Sequence, residues 1–197
     1  MLRNPIHKRL ENLQSWQHLT FMACLCERMY PNFQLFCQIT EQENHSKLYH
    51  NILNLVWEML TVKDARINFD HQLEKLEQII PDVNDYDFFG VVPALDACEG
   101  LSELLHGIIA GSTLEQAVKV SQLSLQTIIS LLEMQQDSTL SETELKQNAE
   151  IEQELDIQWQ IYRSLKECEE RDIELILELK NAIRNEGISN IGIEINQ

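Results

Sequence analysis

The stretch that decides the fold is Asn4–Pro31, NPIHKRLENLQSWQHLTFMACLCERMYP. Asn4 is a residue type that caps helix N-termini, and Pro5 suits a first helical position because its missing N–H has no partner there anyway. Ile6, Leu10 and Leu13 follow at spacings of four and three, which puts them on one helical face. From Phe21 to Cys26 every residue is apolar, so this part of the helix has no wet side and must be surrounded by other helices. Pro31 predicts a stop or a break, because proline pushes the residue before it out of the α region.

Outward from that stretch the helical period continues. A short helix is predicted over Asn32–Thr40, and the polar run Glu41–Ser46 is a joint. The next helix runs from about Asn44 to Val62. Leu48, Ile52, Leu55 and Met59 form its stripe, Tyr49, Leu53, Val56 and Leu60 widen it, and Lys47, Asn51, Asn54 and Glu58 make a narrow polar edge. Asn68 caps a fourth helix that reaches Pro81, and Asp82–Asp87 is an acidic loop. Pro93 opens a fifth helix that Gly111 stops. Ser112–Glu115 and Ser141–Glu144 both read as capping boxes, the first opening a sixth helix to about Gln136, the second a short helix. A long last helix is predicted over Glu150–Glu186, with Ile151, Leu155, Trp159, Tyr162 and Leu165 inward and Gly187 as its end. In the tail, residues 188–197, Ile191, Ile193 and Ile195 alternate with Gly192, Glu194 and Asn196, a strand-like period. One short extended piece has to pack on helices or pair with another copy. With no internal repeat or linker, the expectation is all-α: a single-domain bundle of about seven helices over 1–197 with a short extended C-terminal tail.

Charge narrows the partners. The chain has 15 Lys+Arg against 32 Asp+Glu, a net of −17. Such a surface repels nucleic acid and anionic membrane and permits a basic protein partner. The five cysteines, Cys24, Cys26, Cys37, Cys98 and Cys168, have no framework spacing. No signal-peptide pattern follows the first residues, and no stretch approaches the ~20 apolar residues of a membrane span. A cytoplasmic location with reduced thiols is expected.

Five blocks carry a family resemblance: NPIH (Asn4–His7), SWQHLTFMACLCERMYP (Ser15–Pro31), LTVKD (Leu60–Asp64), ECEERDIELI (Glu167–Ile176) and SNIGI (Ser189–Ile193). Together they resemble the YjaG-like family of bacterial proteins over nearly the whole chain. The resemblance implies a bacterial cytoplasmic protein with an all-helical domain. It implies no activity, since the family is itself a domain of unknown function and offers no catalytic residues to carry over.

The sharpest chemical constellation lies on the fifth helix. Asp96, Glu99, Glu103 and His106 are three, four and three residues apart and stack along one face. Glu103 and His106 form a Glu-x-x-His pair, half of a di-metal carboxylate motif, so Asp96, Glu103 and His106 are candidate metal ligands. None of the other five histidines follows a glutamate by three, and a solvated face gives the same pattern. Gly100 and Gly107 on that face would also admit another helix or chain at close range. Cys24 and Cys26 point apart on a helix and read as small buried hydrophobes. Nucleotide-cradle and nucleophile-elbow patterns are absent, so no catalytic or cofactor-binding residue and no cofactor is assigned. The acidic stretch Glu142–Glu186, with helical pairs such as Glu167–Arg171, is a solvated face that a basic partner could meet. The leading expectation is an interaction or homodimerising module without catalysis. The alternative is a metal-assisted or small-molecule enzyme working on the polar face of the fifth helix.

Overall fold

The structure, a computed structural model, describes residues 4–194. Among the described residues the helical periods become nine α-helices: α1 Ile6–Leu10, α2 Ser15–Ile39, α3 Glu43–Thr61, α4 Phe69–Glu77, α5 Val91–Ala110, α6 Leu114–Gln136, α7 Glu142–Lys146, α8 Ala149–Lys166 and α9 Ile173–Glu186. There is one short 3-10 turn, Val83–Asp85, and the extended pairing consists of a single Ile188–Glu194 bridge. The fold is all-α, as the period requires.

The all-apolar run sits on the central helix. α2 packs against α3, α5, α6, α8 and α9, and Phe21, Met22, Leu25, Cys26 and Met29 have no exposed surface. α5 approaches it closely. A Cβ built on Gly100 would stand 2.6 Å from Met29 Cε, and one on Gly107 3.5 Å from Met22 Cε. The helix admitted by these glycines is therefore α2 of the same chain.

Local signals held where the chain alone decides. Asn68 Oδ1 accepts from His71 N, Ser141 and Glu144 form the reciprocal box, and Gly111 and Gly187 take the left-handed conformation that ends a helix. They failed where distant groups compete. Pro31 lies inside α2 rather than ending a helix. An interior proline costs about 3 kcal/mol, but Met29, Phe33 and Cys37 on both sides of it are fully buried, and that packing outweighs the missing bond. The break falls earlier, at 11–14, where Gln14 N donates to Gln17 Oε1 and α2 begins. The Ser112–Glu115 box does not form: the N-cap is Thr113, one residue later, and its hydroxyl is engaged with His18 Nδ1 at 2.8 Å. The long last helix is two helices, α8 and α9. Between them Arg171 turns away to donate to Leu60 O and Met59 O, capping α3, so the Glu167–Arg171 pair does not form and Glu167 meets Lys166 instead. The tail pairs with itself: Ile188 bridges Glu194 in the antiparallel sense, and Ser189 N donates to Ile193 O around Gly192, whose φ is +77°. Ile195–Gln197 of that prediction lie outside the described residues.

The apolar interior has two parts. The larger surrounds α2. The smaller, Leu125, Ile128, Ile129, Leu132, Leu145 and Ile151, lies between the second half of α6, α7 and the start of α8. Both α6 and α8 run through the two parts, and on each helix the residues at the crossing are polar: Ser121 and Ser124 on α6, Glu154 and Gln158 on α8.

Candidate functional site

The face of α5 that drew attention in the sequence is divided by the fold. Asp96 turns inward, 9% exposed, and accepts from Thr127 Oγ1 of α6 at 2.8 Å. Burial lifts its carboxyl to about 6; the Thr127 bond works against that and the charge of Glu99 adds to it. Glu99 and His106 point outward. Glu103 is paired with Lys119 Nζ at 3.4 Å. Glu99, Glu103, His106 and Lys119 line an open cleft of about 510 Å³ from which Asp96 is absent. Among the described residues no three His, Cys, Asp or Glu side chains converge as metal ligands would.

The polar groups that the fold does bring together are elsewhere, in the layer between the two apolar parts. Arg28 of α2 donates through Nε and Nη2 to Glu154 Oε2 at 3.3 and 3.1 Å, with the pair's side chains only 6% and 1% exposed. The other carboxylate oxygen accepts from Ser124 Oγ at 2.7 Å and Gln158 Nε2 at 3.1 Å. Ser121 Oγ donates to Gln158 Oε1 at 2.6 Å, and Asn4 Nδ2 reaches both Ser121 Oγ and Gln158 Oε1. Asn190 of the tail closes the layer: its Nδ2 donates to Ser124 O at 2.9 Å, its Oδ1 accepts from Asn32 Nδ2, and its backbone N–H reaches Arg28 O. Five separated segments are fixed by one network, and a buried ion pair whose remaining lone pairs are met is a specific clamp.

A second clamp holds α9. Glu27 Oε1 accepts from Trp57 Nε1 at 2.7 Å and from Arg184 Nε at 2.9 Å, and Arg184 Nη2 also donates to Asn54 Oδ1. A third joins helix ends: Gln17 Nε2 donates to Leu165 O and Cys168 O at the end of α8. The sequence blocks that carried the resemblance therefore supply Asn4, Gln17, Glu27, Arg28 and Asn190 to these clamps, and their partners Ser121, Ser124, Glu154, Gln158, Trp57 and Arg184 lie outside those blocks.

The main layer lies at the bottom of a groove of about 800 Å³ bounded by α6, α8 and the C-terminal turn. Five carboxylates line it, Glu150, Glu152, Glu154, Asp156 and Glu186, against one cation among the described residues, Arg28, which meets Glu154 at 3.1 Å and Glu186 at 3.8 Å. Ile128, Leu131, Leu132 and Ile157 give it an apolar floor. The acidic stretch Glu142–Glu186, which reads in the sequence as a solvated face, contains the buried Glu154 and Gln158. The signal that could have placed them inside is phase: Ile151, Glu154, Gln158, Ile161 and Leu165 repeat at three and four and are all buried. Cys24 and Cys26 are buried, as their helical placement suggested, and Cys37 and Cys98 are buried as well, all four as free thiols. Burial pushes the Cys37 thiol up to about 12.

Comparison with known proteins agrees with this architecture. An "Uncharacterized protein" of Haemophilus influenzae is 70% identical over the full length of both chains. The "Uncharacterized protein YjaG" of Escherichia coli is 57% identical, again over both full lengths. The crystal structure of a DUF416 family protein from Shewanella baltica superposes with a TM-score of 0.89 at 31% identity, covering 98% of this chain and all of that one. Residues 5–194 match the family described as "Protein of unknown function (DUF416)", and the chain belongs to that family.

Proposed function

We propose that this protein works by contact, as a cytoplasmic interaction module and not as a catalyst. One observation carries the reading. Most of the buried charges and amides beside the groove are satisfied by one another, as Arg28, Glu154, Gln158 and Asn190 are, with Asn32 Oδ1 the exception, whereas Glu150, Glu152 and Asp156 stand on an exposed rim. Catalytic groups are held near a pocket with perturbed, underused donors and acceptors; fully satisfied networks rigidify instead. A net charge of −17 favours a basic protein over nucleic acid or an anionic membrane. Four buried, unbridged cysteines suit a reducing compartment, and among the described residues no helix is long and apolar enough to cross a membrane. A second copy of the chain is the other partner this reading admits.

Cross-linking in the source bacterium, followed by capture of the tagged chain and a native mass measurement, tests it. The expected result is a stoichiometric hetero-complex or a dimer. A lone chain at micromolar concentration, with no partner cross-linked in cells, would overturn the proposal. The second reading, metal-assisted chemistry on α5, is favoured by the cleft that Glu99, Glu103 and His106 share. Elemental analysis of untagged protein decides it: stoichiometric metal lost in Glu103→Gln and His106→Ala variants supports that chemistry, and sub-stoichiometric metal unaffected by them removes it.

A further inference from the structure

The groove between α6, α8 and the C-terminal turn has two properties that together select an occupant. Its rim is acidic: Glu150, Glu152, Asp156 and Glu186 are exposed, and the only cation lining it among the described residues, Arg28, is held by buried Glu154 at 3.1 Å and by Glu186 at 3.8 Å, so Glu150, Glu152 and Asp156 are left without it. Its floor is apolar, with Ile128, Leu131, Leu132 and Ile157 below and the 41%-exposed Ile188 at the edge. The floor is also rigid, because the Arg28–Glu154–Ser124–Asn190 network ties α2, α6, α8 and the tail beneath it. A preformed groove spares its ligand the cost of ordering it.

We propose that this groove docks a basic amphipathic helix of a partner protein. The inference rests on the contact reading above and names the site and the partner's chemistry. An amphipathic helix lays an apolar face into a groove and keeps its charges at the rim, and lysine or arginine at the rim would meet Glu150, Glu152 and Asp156, which the groove's one cation, Arg28, does not pair with. A polyamine would satisfy the rim and leave the floor wet. A second copy could not use α1 for this. Its adjacent cations Lys8 and Arg9 sit on α1, whose apolar residues Ile6 and Leu10 are completely buried, so α1 has no apolar face to offer. Arg184 of α9 is engaged with Glu27.

The probe is a synthetic peptide of about five helical turns with lysine and leucine on opposite faces, measured by calorimetry at physiological salt against the full chain. A scrambled peptide of the same composition and spermine serve as comparisons. Saturable one-to-one binding is expected, weakened at least about tenfold in Glu150→Gln/Glu152→Gln/Asp156→Asn and also weakened in Ile188→Ser. Glu174→Gln/Glu178→Gln on α9 should leave it unchanged. Melting curves establish that each variant is folded. Absence of saturable binding, equal weakening by the α8 and α9 variants, or equal affinity for the scrambled peptide or spermine would overturn the groove assignment. A dimer mass for the chain alone, lost in the triple α8 variant, would make a second copy the occupant and overturn the assignment as well. If a partner cross-linked in cells still binds the triple α8 variant, the contact reading stands and the groove assignment falls. If the peptide behaves as expected and cells yield no partner, the groove chemistry stands and the contact reading falls.

Discussion

Replacing Asp96 by Asn should stabilise the protein at pH 8 and make little difference at pH 4. Thr127 Oγ1 lies 2.8 Å from Asp96 Oδ2 and 2.9 Å from Leu123 O. A hydroxyl has one proton to give, so with Asp96 ionised one of these two acceptors goes short. With Asp96 neutral, its own proton serves the Thr127 oxygen and the Thr127 proton serves Leu123 O. Donation from Thr127 favours the ionised acid, but burial outweighs it and lifts the carboxyl to about 6, and the neutral acid can return the bond by donating to the Thr127 oxygen. In the unfolded chain an aspartate titrates near 3.9. Between about pH 4 and 6 the folded state holds a proton that the unfolded state has lost, so stability falls as pH rises through that window and is flat above it. A gap of about two pH units at about 1.4 kcal/mol each comes to about 3 kcal/mol. Asn supplies the N–H donor to Thr127 at every pH and escapes that loss. Urea unfolding of parent and Asp96→Asn at a series of pH values measures the difference, in which the other titrating groups cancel. The variant should gain up to about 3 kcal/mol at pH 8, or roughly 6–12 °C in Tm for a chain of this size, and the gain should vanish towards pH 4. A variant less stable than the parent at pH 8, by an amount that does not change with pH, would refute the reasoning and make the ionised carboxylate a structural requirement.

Other outcomes follow from the clamps. Arg28→Met leaves Glu154 buried without its counter-ion and should cost about 3–5 kcal/mol in denaturant unfolding, whereas Arg28→Met/Glu154→Met should recover most of that loss; equal losses in both would show that shape and not charge dominates there. Arg184→Ala should speed hydrogen exchange across α9 well before it affects α2, because Ile176 is the one fully buried residue of α9 and the Glu27 contact is its main polar anchor. Uniform faster exchange over the whole chain would contradict a local role. A thiol reagent should modify Cys168 first in the native protein and reach Cys24, Cys26, Cys37 and Cys98 only as the chain unfolds, since these four are buried and burial raises their thiol pKa; rapid native labelling of more than one thiol would count against the packing around α2.

The sequence by itself determined what depends on neighbours a few residues away. The three-and-four spacing of apolar residues made the chain helical, the unbroken run Phe21–Cys26 put one helix at the centre, and Asn68, Ser141, Gly111 and Gly187 marked helix ends because each cap is completed within its own turn. Asp96, Glu103 and His106 were correctly placed on one helix, but their chemistry was not legible: whether a carboxylate on a helix meets water, a lysine or a threonine depends on the helix opposite. Tertiary structure alone decided that Pro31 stays helical, that Arg171 leaves its helix to cap α3 some 111 positions away in sequence, and that Glu154 is buried against Arg28 at a separation of 126. Periodicity tells which residues share a face. It carries no information about which distant donors will be brought against that face, and for a polar side chain those donors settle whether burial is unfavourable or stabilising.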